Sequence, residues 1–509
     1  MFAAPRSARP LARVRHRLLP LATAACLAAA SPAQAELDAE KIKVQVQKAI
    51  DQYVEMTDGA LQPQGSVNVV EDGDAIVVTT PAMVVEGPDS RIEVPSSLVR
   101  LTETDADHIA FTLTLPNEIT GVKQGSVPDK LLITIGGQQI EGAFRPSLLT
   151  FEKLDLRLDD IAGSVNDGSF SLGALRLNLA NIEDAPGKWR SDAGFALGEL
   201  RVMDAEKTQL VAIGRIENAW RIDQYDLPAF AEIQRKMTGG SPFMGMPKPD
   251  DEVVQQAMQE MIQRLPELFD GANGGGTFRI AGLQVAAIQQ PPFSLGAASI
   301  DLGLAPEEAL YGLQLGLNVD KPEIDPMASP VPPHLLPRSA VADLGLRRLP
   351  LGQLWQMVSV PMQQAMKLEM SGKMTPEAEA EINEQFEMVP FAAMGMAGEA
   401  GSFAEIKSIE IELGPAKLSV AGVGPLLPGM PEPALNILAK IEGLDDLAAE
   451  VQKLDKGMAD QIMPVIVMLR GLGKAVSEND RIVHTYQIAE GKQGEITVNG
   501  VNVDELQPK

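Results

Sequence analysis

The sequence predicts an α+β protein: mainly an antiparallel β meander forming a long curved sheet, with helical pairs packed on it in the C-terminal half. Three observations carry this. Period-two alternation of apolar and polar residues recurs between short turn signals over residues 65–225. Stretches beginning near Pro228, Leu349 and Leu444 switch to the helical period, and each is followed by a glycine-punctuated strand group. A strand motif, Phe170-Ser171-Leu172-Gly173-Ala174-Leu175, returns as Phe195-Ala196-Leu197-Gly198-Glu199-Leu200 and as Phe293-Ser294-Leu295-Gly296-Ala297-Ala298. Phe170 and Leu172 have one parity, Leu175 and Leu177 the other. A period-two strand keeps one parity per face, so a bulge or bend is expected at Gly173, glycine supplying the positive φ that a bulge often needs.

In chain order, residues 1–35 read as an export signal. Arg6, Arg9, Arg13, Arg15 and Arg17 make a basic start, Leu18 to Ala30 is a short apolar run, and Ala33-Gln34-Ala35 precedes Glu36 as a cleavage site. The expected location is the periplasm. Lipid attachment at Cys26 is disfavoured, because Thr23 stands where a lipoprotein signal prefers Leu. Ile42, Val46, Ile50 and Tyr53 mark a helix over 37–56. Glu71-Asp72-Gly73-Asp74 turns a hairpin between Val67-Asn68-Val69 and Ile76-Val77-Val78. Ile109, Phe111 and Leu113, then Leu154, Leu156 and Leu158, alternate with polar residues, as in a sheet with one wet face.

The expected divisions are 36–225 (a helix plus antiparallel β region), 226–321 (a helical pair plus β region), 322–338 (a proline-rich connector) and 339–509 (helical segments alternating with strands). Within the last, Thr375-Pro376-Glu377 reads as an N-cap followed by first-turn proline.

The net charge is −26, and loss of five arginines with residues 1–35 makes the remainder more acidic. That argues against nucleic acid and anionic headgroups as partners. The one cysteine, Cys26, leaves with the signal, which removes disulfides and thiolate metal sites from what remains. No segment after residue 35 has the length and continuity of a membrane helix. The cadence of helices and proline-rich segments does not fit an outer-membrane barrel.

No residue pattern predicts catalysis, a cofactor or a metal site. His108, His334 and His484 are far apart in sequence; His108, after Asp105-Ala106-Asp107, reads as a turn histidine. No G-x-S-x-G elbow occurs. Gly271-Ala272-Asn273-Gly274-Gly275-Gly276 lacks the Lys and Ser/Thr of a phosphate loop and reads as a helix stop and linker. Methionines gather around the helical stretches: Met237, Met244, Met246, Met258 and Met261 around the first, and Met357, Met362, Met366, Met370 and Met374 around the second, with Met388, Met394 and Met396 after it. Core filling is the plain reading; the functional one is a soft lid over an apolar groove.

The export signal, the long meander, the Phe-x-Leu-Gly strands and the closing Ile496-Thr497-Val498-Asn499-Gly500 together resemble large envelope proteins of Gram-negative bacteria, the YdgA-like and AsmA-like groups. The resemblance implies a grooved β-structure connected with lipid traffic and a sheet with an apolar inner face. The chain departs from that pattern in having a cleavable signal where those proteins carry an anchor. The expected function is therefore that of an exported, non-enzymatic envelope protein that holds or passes an amphipathic ligand such as lipid, with Phe170, Leu172, Phe195, Leu197, Phe293 and Leu295 lining the apolar face. The alternatives are an assembly factor that binds another envelope protein through sheet edges, and a secreted hydrolase.

Overall fold

A computed structural model describes residues 38–502 apart from 58–59, 88–89, 106, 124–128, 166–167, 239–251, 287–291, 325–331, 427–432, 479–480 and 492–494. Ala33, Ala35 and Glu36, expected to form a cleavage site, and Met244 and Met246 lie outside the described residues. Among the described residues 56% are strand and 29% helix, in an antiparallel sheet of 24 strands with seven helices lying mostly in the C-terminal half. That is the α+β class the periodicities predict. The described residues fold into two compact units: one lies within residues 38–211, 219–270 and 363–374, the other within 212–218, 271–362 and 375–502.

The first unit begins with α1 (Ala39–Met56), capped by Asp38, whose side chain accepts from the Lys41 amide. Eight short strands follow: β1 (Leu61–Gln64), β2 (Asn68–Asp72), β3 (Ala75–Thr79), β4 (Ala82–Gly87), β5 (Ser90–Val94), β6 (Leu98–Asp105), β7 (His108–Thr114) and β8 (Glu118–Lys123). Four long strands come next: β9 (Asp129–Arg145), β10 (Thr150–Val165), β11 (Gly168–Ala185) and β12 (Lys188–Met203). The short strands form two branches. One runs β1–β4–β5–β8 and pairs with residues 129–134 of β9; the other runs β2–β3–β6–β7 and pairs with residues 141–144. Because β10 occupies the other edge of β9, both branches share one edge, end to end. Gln138 fills the fork between them: its Oε1 accepts the Leu115 amide at 2.7 Å, and its Nε2 donates to the Leu115 carbonyl at 2.7 Å and to Asn117. A side-chain amide thus replaces the backbone partner that a forked ladder leaves without one.

The branches close around α1. Ile42, Val46 and Ile50, one turn apart, pack with Val67, Val78, Val99, Leu101, Phe111 and Phe144, and Val46, Val78 and Val99 are 0% exposed. Phe151 packs at a tilt against Phe111 (centroids 5.5 Å, 47° between planes) and meets Phe144 edge-on (5.8 Å). This is a filled core.

The β6–β7 turn is tied to the end of β9 by Asp107, which accepts from Arg145 Nε at 2.9 Å, from the Ser147 amide at 2.9 Å and from the Ser147 hydroxyl. Burial alone would raise the Asp107 carboxyl, but the Ser147 and Arg145 hydrogen bonds outweigh it and hold it below the usual range. A depressed folded-state value means stability that is present above the unfolded value and lost as pH falls through the folded one. Asp107→Asn is therefore expected to lower the urea midpoint at neutral pH and to flatten its decline below about pH 4, the range in which an ordinary Asp titrates. A parallel acid limb in both proteins would contradict this role.

The chain then forms β13 (Gln209–Tyr225), which is divided between the units, and the helices α2 (Leu227–Thr238) and α3 (Glu252–Leu268). Tyr225, Leu227 and Ala231 form a small core with Leu148 and Trp189, and Phe269 packs against it.

The second unit is a meander of β14 (Asn273–Val285), β15 (Phe293–Glu307), β16 (Leu310–Ile324), β17 (Pro337–Leu349), β18 (Phe403–Leu413), β19 (Ala416–Pro425) and β20 (Asn436–Glu442). It is completed by β21 (Lys474–Glu478), β22 (Arg481–Glu490), β23 (Ile496–Val498) and β24 (Val501–Asn502). The glycine run read as a linker is one only at its start: Gly271 takes φ 72, and from Asn273 onward the run is already strand. Helices α4 (Leu351–Met370) and α5 (Pro376–Glu399) separate β17 from β18; α6 (Leu444–Val451) and α7 (Lys456–Leu472) separate β20 from β21. Thr375 caps α5 as its sequence predicts, accepting from the Ala378 amide.

Candidate functional site: an uncovered apolar sheet face

In the second unit the register turns the alternation of each strand into continuous rows. One runs Phe278–Ile300–Leu317–Ala342–Ile409–Val420–Ala439–Tyr486 across eight strands. The row two residues to one side is Gly276–Leu302–Leu315–Leu344–Ile406–Gly422–Ile437–Ile488; the row to the other is Ile280–Ala298–Val319–Ala340–Ile411–Leu418–Ile441–His484. Strand spacing makes this surface about 34 Å long across the strands, and residue rise makes it about 14 Å wide. Its only strongly polar side chain is His484. The intervening positions are mostly polar, with Val341 and Leu438 as exposed exceptions, and partly ion-paired: Lys417 with Glu410 (2.8 Å), Lys440 with Glu478 (2.9 Å), and Arg347 with both Glu307 and Glu405.

An apolar sheet face ordinarily lies under a second layer. Here, among the described residues, one end does. At the β20–β22 end, Ile441 packs against the core of α6 and α7, which is built from Leu444, Ala448, Val451 and Ile466. Tyr486 is buried and donates to the Leu469 carbonyl at 2.9 Å; burial pushes its phenol up and keeps it a donor. His484 is buried beside it, its Nδ1 without a partner. Every other residue of the three rows is at least partly open to solvent. Openness peaks over β14–β17, where Ile300 is 44% and Leu302 46% exposed, and Phe278, Leu313, Leu317 and Leu346 are also exposed.

The first unit carries a related face. Ile140–Leu156–Leu177–Phe195 form one row across β9–β12, and Ile135–Ile161–Leu172–Leu200 another. Phe170, Leu172, Leu197 and Phe195 therefore share a face, as the motif requires; Leu197 stands opposite Leu175, and Phe195 is exposed. Phe170 lies over Gly163, where a Cβ would come within 2.1 Å of the ring. Phe293 and Leu295 are on β15 in the second unit, opposite Val285 and Leu283. The expected lining residues thus fall into two groups, and all are half-buried or exposed. Met258 and Met261 are half-buried on α3.

The parity change in the motif has a different cause from the one its glycine implies. Register runs unbroken from Leu158–Leu175–Leu197 to Ile161–Leu172–Leu200, so β9 to β12 switch parity together along one transverse line through Gly136, Asp160, Gly173 and Glu199. The left-handed residues are Asp160 (φ 53) and Glu199 (φ 55), not Gly173. Gly136 and Gly173 are needed because a Cβ there would sit 2.9 Å from the Asp160 Cβ and 3.2 Å from the Glu199 Cβ. The second unit repeats this at Gly296, which stands between Gly282 (φ 65) and Lys321 (φ 48). The kink keeps apolar residues on one face along strands of up to 18 residues. Lys321→Gly, which removes a left-handed side chain, is expected to raise stability by up to about 1 kcal/mol; Gly296→Ala, which crowds the Lys321 Cβ at 3.1 Å, is expected to lower it by about 1–3 kcal/mol. Urea midpoints check both, and equal effects would refute the assignment.

Of the histidines, His108 Nδ1 lies 2.7 Å from Asp105 and its Nε2 3.4 Å from Glu152, and His334 lies 3.3 Å from Glu450. Among the described residues no three His, Cys, Asp or Glu side chains are grouped to hold a metal, and no helix is long and apolar enough to cross a membrane. The residues that composition and motif reading missed are Phe278, Ile300, Leu302, Leu313 and Leu346; their signal is the strict alternation around them, which register converts to a surface. In comparison with known proteins, the chain matches no protein-family model and no curated protein sequence.

Proposed function

We propose that this is an exported, non-enzymatic protein of the bacterial envelope that holds or passes an amphipathic ligand, lipid being the fitting class, along its apolar sheet face. The observation that carries the reading is the set of three apolar rows across β14–β22, uncovered over β14–β17. Exposed contiguous apolar surface of this extent is uncommon on a protein with no ligand or partner, because its hydration costs about 25 cal/mol per Å². An acyl chain laid on the rows removes that surface from water without needing a hydrogen-bond partner. The polar reverse face, with its ion pairs, stays wet. The basic start and the Ala33-Gln34-Ala35 site of residues 1–35 support delivery to the periplasm.

Native mass spectrometry of the exported protein, isolated without detergent, tests this. The expected spectrum contains adducts with the masses of envelope lipids. A spectrum of bare protein, joined by failure of the folded chain to take up N-phenylnaphthylamine, would sink the proposal. Turnover in an esterase, glycosidase or phosphatase panel would favour the hydrolase reading instead.

A further inference from the structure

We infer that the outer ridge of α5 is a docking surface for a basic amphipathic helix of a partner protein. The buried and half-buried positions of α5 are Ala378, Ile382, Gln385, Val389 and Ala393, spaced three and four apart, and Met396, Ala397 and Gly398 at its end, so one narrow stripe faces the protein. The opposite ridge is read by the same spacing as Glu377, Glu381, Glu384, Met388, Phe391 and Gly395. It is acidic for its first half and apolar for its second.

Residues 388–398 contain no charged side chain. A helix that is apolar all round belongs between two layers. This one has only one, and its outer side leaves Phe391 66% and Met388 59% exposed, with Phe386 and Met394 exposed beside them. The carboxylates say what the missing layer is. Glu377 and Glu379 suit the helix N-terminus; Glu381, Glu384 and Glu387 lie beyond the first turn and have no such reason. Residues 376–399 include no Lys or Arg, and among the described residues no ion pair engages these glutamates. An apolar patch continued by unneutralised carboxylates complements a helix with an apolar stripe and a cluster of Lys or Arg. The lack of cations disfavours the other occupant of such a ridge, a lipid surface, whose helices carry Lys and Arg on their polar side.

The test uses the full exported chain and, as probe, a fluorescein-labelled synthetic helix with leucines on one face and lysines clustered toward one end. The wild type is expected to bind it with a salt-sensitive affinity. Phe391→Glu is expected to weaken binding about tenfold or more, the size of a lost aromatic anchor, although it makes the protein more negative. Glu381→Gln with Glu384→Gln is expected to weaken it several-fold at low salt and little at high salt. Both sites are exposed, and an unchanged thermal melt shows the variants folded. The inference is overturned if the wild type ignores the probe, or if Phe391→Glu binds it as well or better, which is attraction by net charge alone. Flotation of the wild type, but not Phe391→Glu, with phosphatidylcholine vesicles would likewise overturn it in favour of a membrane surface.

Discussion

Phe144→Ala is expected to lower the unfolding free energy of the first unit by about 3–5 kcal/mol, whereas Leu302→Ala is expected to cost less than about 1 kcal/mol. Both are large apolar residues on inward-reading strand positions, so the sequence alone ranks them alike. Their surroundings separate them. Phe144 is 2% exposed, meets Phe151 edge-on and belongs to the core around Ile42, Val46 and Ile50. Truncation there leaves a cavity whose walls are two β branches and a helix held by their own ladders, and such walls collapse poorly. Leu302 keeps nearly half its surface in water. Removing it leaves no cavity and forfeits little burial. Urea unfolding followed by circular dichroism measures both; comparable losses would mean that the face over β14–β17 is covered core.

The second large effect concerns binding. Ile300→Asp combined with Leu317→Asp is expected to abolish uptake of N-phenylnaphthylamine, a loss of at least about a hundredfold in affinity, while the melting temperature changes little. Ile300 and Leu317 are directly opposed in the central row, so the pair places two carboxylates at adjacent positions in the middle of the apolar surface. In the empty protein each is open enough to stay hydrated. With an acyl chain over them both must lose water or protonate, and a desolvated charge costs several kcal/mol. That asymmetry predicts a binding defect without a folding defect. A double variant that unfolds would mean these positions are core; one that binds normally would place the ligand elsewhere.

Much of the architecture is legible in the sequence because its signals are local. Helix α1 follows from Ile42, Val46 and Ile50, the α5 cap from Thr375, and the strands from their alternation. What is not legible depends on register. The motif glycines invite the reading that Gly173 itself takes a left-handed conformation, since that is what glycine uniquely permits. Only the pairing reveals that Asp160 and Glu199 take it, and that Gly173 is small because the Glu199 Cβ occupies its space. Likewise Leu302, Leu315 and Leu344 are scattered over more than forty positions of sequence and become one row only when β15, β16 and β17 are aligned. Gln138 at the fork has no sequence signature, because its partner, Leu115, is chosen by the branching of the sheet.

An apolar face over β14–β17 that is an open floor for lipid should be accessible when empty and shielded when a lipid covers it. Cys26 is the chain's one cysteine, so in a Cys26→Ser background a single engineered thiol reports on its own site. The direct measurement is the maleimide labelling rate of Leu302→Cys in delipidated protein, before and after addition of a long-chain phosphatidylglycerol, with Val99→Cys as the buried control. Leu302→Cys is expected to label fast and to be slowed about tenfold or more by the lipid, and Val99→Cys is expected not to label without denaturant. Leu302→Cys that labels as slowly as Val99→Cys, or that labels fast with no protection by lipid, would contradict the open floor.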